Sequence, residues 1–344
     1  MKKSLKIILI ICIIFVLFLT FLFLFDKVEF YNKNFKVALV ISRIGDNGFA
    51  DLQVKALEFV SKNYKLKTKI YLTYGFEKIE EYMEKAIKDG YNIIIGGNGL
   101  FCEKPIKKLS KIYKNVYFIS IDNDLKEHNN LSCSLTFKQN EASFLAGILA
   151  AKISKSNTIG FVGGMNIDVI NDFLIGFIGG INYINSKKQV KSFYIDQDAF
   201  RKTNHPFTEP ELASYLAKKL YEEYKVDIIY CVAGGSNFGI YDFIKDLPIY
   251  AIGVDTDQDA YLKGKIIFSV LKNIDVGIIY IIDKIINKSF KNINYRLGLK
   301  ENGVGLSQMK FTKDIVGEEN IKFIEEIRMK IIKGEIVVPT KFNE

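Results

Sequence analysis

Thr158-Ile159-Gly160-Phe161-Val162-Gly163-Gly164 opens the passage that decides the fold, and it is followed by an apolar helix-period segment from Asp172 to Asn185 and a β-branched run from Val190 to Ile195. A short buried strand ending in two glycines, a long helix and another strand make a βαβ unit, whose strands must run parallel because a crossover helix joins them. The same alternation extends in both directions. Strands are predicted at 36–41, 69–72, 92–95, 116–121, 132–136, 158–162, 190–195, 227–232, 249–254 and 266–270. Helices are predicted at 51–63, 77–89, 104–113, 141–154, 172–185, 209–224 and 275–287, with a C-terminal one at 318–333. This is an α/β chain built on doubly wound parallel sheets.

Several predicted strands run directly into small or acidic residues: Gly96-Gly97-Asn98-Gly99, Asp122-Asn123-Asp124, Gly163-Gly164, Ala233-Gly234-Gly235 and Asp255-Thr256-Asp257. Open parallel sheets bind ligands outside the carboxyl ends of their strands, so these turns belong to one potential site. The length of 344 residues fits two such sheets. The expected division is one lobe from residues 31–138 plus about 256–300, and a second from 139–255 plus about 301–344, because a strand and the last helix follow completion of the second half. Two lobes with crossing connections make a hinged cleft.

Composition narrows the function. The chain is 49% hydrophobic and 25% charged, an ordinary globular balance, and it has two histidines, His128 and His205. Histidine-based catalysis and a catalytic zinc therefore have few residues to draw on. The net charge of +9 is distributed along the sequence with acidic residues near every basic cluster, which is unlike the one-sided stripe of a nucleic-acid surface. Asp255-Thr256-Asp257-Gln258-Asp259 starts like a calcium loop but has Ala260 and Ile266 where glycine and glutamate are needed. No G-x-G-x-x-G, P-loop or G-x-S-x-G pattern appears, and no cofactor or metal is expected. Cys102, Cys133 and Cys231 lie in apolar sequence and read as small buried hydrophobes.

Residues 1–30 are a separate object. Lys2, Lys3 and Lys6 precede an apolar run from Ile7 to Phe25, and 19 residues at 1.5 Å rise approach the roughly 30 Å of a bilayer core. The basic flank stays cytoplasmic, which sends the body to the outer side of the cell membrane. No small-residue cleavage site precedes Asp26, so a retained anchor is preferred over a cleaved signal. Lipid attachment at Cys12 is the alternative, although Leu9-Ile10-Ile11 lacks the usual small residue before the cysteine.

The segments Asp46-Asn47-Gly48-Phe49, Glu141-Ala142-Ser143-Phe144-Leu145-Ala146-Gly147, Gly160 to Gly164, Phe173-Leu174-Ile175-Gly176-Phe177, Ala233-Gly234-Gly235 and Ile252 to Gln258 occur in the order found in the basic membrane protein family. The chain resembles these purine nucleoside receptor lipoproteins, substrate-binding components of ABC transporters well known in spirochaetes, over roughly residues 36–340. The resemblance implies a type I periplasmic-binding-protein fold holding a purine nucleoside between two phenylalanines. Carried over by position, Phe49 is the first and Phe207, in Phe207-Thr208-Glu209-Pro210, the second, with Phe200 as fallback because Tyr194 to Pro206 contains an insertion. Asp46 and Asp122 would accept hydrogen bonds from base or ribose, and Asp255 with Lys272 would hold the ribose hydroxyls. Gly234, Gly235 and Asn237 would bring backbone close to the ligand. Gly48 and Ala50 replace the serine and asparagine of the family's D-x-S-F-N, removing a polar contact near the base. The alternative for Asp122 and Asp255 is helix capping or a surface salt bridge, and Asp257 is the stronger capping candidate of its pair.

The expected partners are a purine nucleoside, an ABC permease and, through the N-terminal segment, the membrane. Nucleic acid is not expected, and the body should be a monomer. The rival from another class is an adhesin or host-matrix binding lipoprotein of the same fold whose cleft has lost its chemistry.

Overall fold

The computed structural model describes residues 35–342 apart from 128, 130, 185 and 186; the expected anchor at 1–30, Cys12 included, lies outside the described residues. Among the described residues no helix is long and apolar enough to cross a membrane.

The first half alternates β1 (Lys36–Ile41), α1 (Phe49–Tyr64), β2 (Lys67–Leu72), α2 (Ile79–Lys88), β3 (Ile93–Gly96), α3 (Glu103–Ile112), β4 (Tyr117–Ile121) and β5 (Ser132–Phe137). The second repeats the plan with α4 (Gln139–Ile153), β6 (Thr158–Gly163), α5 (Asp168–Ile184), β7 (Gln189–Tyr194), α6 (Pro210–Tyr224), β8 (Ile228–Val232), α7 (Asn237–Ile244), β9 (Tyr250–Asp255) and β10 (Ile266–Lys272). Then come α8 (Ile274–Ile286), β11 (Asn294–Leu297), β12 (Val304–Leu306) and α9 (Glu318–Ile332).

The strands form two six-stranded sheets, ordered β11-β5-β4-β3-β1-β2 and β12-β10-β9-β8-β6-β7. Each contains the doubly wound order 2-1-3-4-5, with β4 of the first sheet equivalent to β9 of the second. All pairings are parallel except β12 on β10. Strands buried on both faces read as continuous apolar runs, as in Ile93-Ile94-Ile95 and Ile228-Ile229, and helices cover them on either side. In such sheets the switch of strand order opens a crevice at the carboxyl ends, here between β1 and β3 and between β6 and β8.

The lobe boundary expected near residue 256 is corrected. β10 stays in the second sheet through Lys272, and the chain returns to the first lobe only at α8, which packs against α1. The reason is register: β10 continues the parallel order beside β9, so nothing can leave the sheet until it ends. The chain therefore crosses between lobes around Lys138, around Asn273 and within 298–303. These crossings are tied together, since Lys138 N donates to Leu297 O at 2.9 Å and Asn273 N to Gly303 O at 2.8 Å.

β11 and β12 complete the sheet edges without clear sequence signals, being short and carrying Asn294, Arg296 and Gly305. The glycines of the Glu141-to-Gly147 and Phe173-to-Phe177 segments serve helix packing. α4 and α5 cross so closely that a Cβ on Gly147 would lie 2.1 Å from Phe177 O, and one on Gly180 1.9 Å from Phe144 O.

Candidate functional site

The carboxyl ends of both sheets face each other across a cavity of about 450 Å³. Asp46, Phe49, Asp122, Phe207, Gly234, Asp255 and Lys272 all line it. Phe200 does not: its ring is 54% exposed and packs edge-on against Tyr215.

Asp122 and Asp255 occupy equivalent places in the two lobes, one directly after β4 and the other ending β9. Both have left-handed backbone, with φ of 60° and 66°, which turns each chain sharply at the strand end. Neither caps a helix. Asp122 accepts a short hydrogen bond and ion pair from Lys272 Nζ, across the lobe boundary. Lys272 is 1% exposed, and its ammonium lies 5.7 Å from the Phe49 ring centroid, 5.5 Å from Phe137 and 5.4 Å from Phe173. A buried lysine is tolerated when a carboxylate and aromatic faces replace its water.

Asp255 is 8% exposed, and its carboxyl accepts no hydrogen bond from the described residues. Its carboxyl is raised to about 7, chiefly by burial; Lys272 opposes the rise, and Asp46 and Asp122 add to it. It is thus a carboxyl with vacant acceptor capacity, directed at a space where a ligand hydroxyl could supply the missing bond.

Asp46 departs from expectation. Its carboxylate caps α1, accepting N–H bonds from Gly48 at 2.9 Å, Ala50 at 2.9 Å and Asp51 at 3.2 Å. Asp51 reciprocates, accepting from Gly45 N at 2.7 Å and Asn47 N at 2.8 Å. Burial raises the Asp46 carboxyl, and the backbone bonds from Ala50, Gly48 and Asp51 oppose that shift. Most of its acceptor capacity is committed to presenting Phe49, the first residue of α1, to the cavity. Asp257 likewise holds its own turn, accepting from Asp259 N at 3.1 Å.

Phe207 lies against Gly164, where an added Cβ would fall 2.3 Å from ring atom Cε1. Gly164, directly after β6, is therefore a seat for this ring. Gly234 and Gly235 also line the cavity, whereas Asn237 does not; it is buried, and its amide closes the turn by accepting from Ala233 N at 3.0 Å and donating to Cys231 O at 3.1 Å. A Cβ on Gly48 would lie 3.5 Å from Asp255 Oδ2, so a serine there would stand beside that carboxylate.

Other wall residues were not singled out by the sequence. Phe173 contributes to the cage around Lys272, and Phe76 and Phe101 stack at 3.9 Å between centroids. The last two follow β2 and β3, so the strand-end rule that found the glycine turns could have found them too. The lobes also touch directly, Thr256 Oγ1 donating to Asn47 O at 2.6 Å and Arg43 Nη1 to Thr208 Oγ1 at 3.5 Å. Cys102, Cys133 and Cys231 are buried, and burial raises each thiol, leaving them inert. No group of residues suited to a metal occurs among the described residues.

Two doubly wound lobes facing a cleft, with ion-paired and vacant carboxylates at strand ends, define a solute-binding protein. The chain belongs to the family described as ABC transporter substrate-binding protein PnrA-like, whose profile matches residues 35–341. Basic membrane protein C of Borreliella burgdorferi is 30% identical over 322 residues, covering 90% of this chain and 85% of that one. The CD4+ T-cell-stimulating antigen of Listeria monocytogenes is 27% identical over 278 residues, covering 75% and 73%. Among solved structures, an ABC transporter solute-binding protein from Aeropyrum pernix K1 matches with a TM-score of 0.77 at 24% identity, over 89% of this chain and 94% of that one. A periplasmic solute-binding protein from Actinobacillus succinogenes with bound D-allose matches at 0.62 and 14% identity, over 82% and 99%. The fold is that of periplasmic binding proteins, and the chain is a transport receptor, not an enzyme. Proteins of this class work outside the cytoplasm with a permease partner.

Proposed function

We propose that the cleft binds a purine nucleoside and delivers it to an ABC permease. The observation that carries this reading is the joint presence, in one cavity, of two aromatic walls, Phe49 and Phe207, and a hydroxyl-accepting group, Asp255, backed by Lys272 and Asp122. A flat heteroaromatic base suits the space between rings, and a vicinal diol suits a carboxyl with no bond of its own. Phe49 and Phe207 stack on the base, Asp255 and Lys272 hold the ribose, and Asp122 orients Lys272. Asp46 contributes mainly by fixing Phe49. The intact cleft polar groups speak against an adhesin that has discarded its cleft. The protein acts as a monomer anchored through residues 7–25. Calorimetric titration with inosine, guanosine, adenosine and free ribose tests the reading, which requires nucleosides to bind far more tightly than ribose.

A further inference from the structure

We infer that Ser236, which does not line the cavity, is the positioning residue that makes Phe207 a rigid wall. The inference rests on the stacking role proposed for Phe207.

Phe207 sits in an irregular stretch between β7 and α6, where chain segments are ordinarily mobile. A stacking wall must instead be fixed before the ligand arrives, since any freedom it loses on binding is subtracted from affinity. Ser236 supplies the fixation. Its hydroxyl donates to Pro206 O at 2.8 Å and accepts from Glu209 N at 2.7 Å. Its own N–H donates to Phe207 O at 3.2 Å. One fully buried residue thus binds the main chain before, at and after the ring. It follows Gly234 and Gly235, so the clamp joins the Phe207 segment to the strand-end turn after β8. Gly164 closes the other side, setting how deeply the ring can retreat. Removing the hydroxyl would leave Pro206 O and Glu209 N without this partner and let the ring leave its plane.

The test uses 2-aminopurine ribonucleoside, whose fluorescence is quenched by stacking, and titrates wild type, Ser236→Ala, Phe207→Ala and the double variant. Ser236→Ala should bind about tenfold more weakly, as expected for losing two hydrogen bonds, and should quench the bound probe less. In the Phe207→Ala background the same change should have no further effect. Gly164→Ala, which must displace the ring from the opposite side, gives a second route to reduced quenching should Ser236→Ala fold poorly. Unchanged affinity and quenching in both variants, or an equal loss with and without Phe207, would overturn the assignment. If Phe207→Ala itself binds like wild type, the stacking role falls and takes this inference with it; if wild type binds no nucleoside, the function proposed above fails first.

Discussion

Lys272 and Asp122 join the two lobes through one ion pair, its lysine buried and its aspartate partly so: the lysine ends β10 in the second lobe, and the aspartate follows β4 in the first. Lys272 precedes Asn273, where the chain crosses between lobes, so this pair lies beside the hinge and inside the cavity. On the proposed reading, the contact that joins the lobes and the groups that meet the ligand would be the same two side chains.

Removing one partner of such a pair should strand the charge of the other. Lys272→Met leaves Asp122 and Asp255 facing each other without a cation, and a cost of about 3 to 5 kcal/mol is expected from stranding buried charge. Lys272→Met combined with Asp122→Asn should cost less than the sum of the single changes, a coupling that chemical denaturation of all three variants would measure.

If Asp255 holds the ligand as proposed, binding should depend on pH. Its carboxyl titrates near 7 in the free protein, raised first by burial. If a ligand diol is accepted by the ionised form, binding below pH 7 must release a proton. Affinity should then rise up to about tenfold per pH unit toward 7 and level off above it. The stability of the free protein has the opposite slope: the folded state holds this proton while the unfolded state loses it near 4, so the contribution is full below 4 and is lost as pH rises through 7. Asp255→Asn should remove the proton release, as read by calorimetry in buffers of different ionisation heat. Unaltered proton release in that variant would move the linkage to another group.

The aromatic walls should be separable from their fallback. Phe49→Ala and Phe207→Ala should each weaken nucleoside binding by about 1 to 3 kcal/mol, by analogy with base stacking on other aromatic side chains. Phe200→Ala, altering an exposed ring outside the cavity, should leave affinity unchanged in the same titrations.

The crossing of α4 and α5 should be intolerant of even one methyl group. Gly180→Ala would put a Cβ 1.9 Å from Phe144 O, backbone that cannot rotate away. Loss of at least about 1 to 3 kcal/mol is expected from overpacking, seen as a lower denaturant midpoint. A midpoint equal to wild type would mean the helices part without cost.

Strand-helix alternation was readable because buried parallel strands such as Ile93-Ile94-Ile95 are continuous apolar runs, and the strand-end rule gathered distant turns into one cavity. β11 and β12 were not readable: each contributes a few residues to a sheet edge, and their pairing depends on partners more than a hundred residues away or across a hinge. α7 hid behind Gly234-Gly235-Ser236, whose glycines mask the helix start at Asn237. The lobe assignment of β10 failed because sequence reports that a strand exists, not which neighbour it joins. Asp46 illustrates a subtler loss: position put it in the site, but only geometry reveals that its oxygens are committed to the amides of Gly48, Ala50 and Asp51.

The central claim is that this cleft selects a purine nucleoside, and calorimetry of the purified protein against inosine, guanosine, adenosine and free ribose tests it most directly. At least one nucleoside should bind at micromolar affinity or tighter, about −8 kcal/mol or better, with ribose far weaker. No heat and no thermal shift with any nucleoside, or ribose binding as tightly as they do, would contradict it.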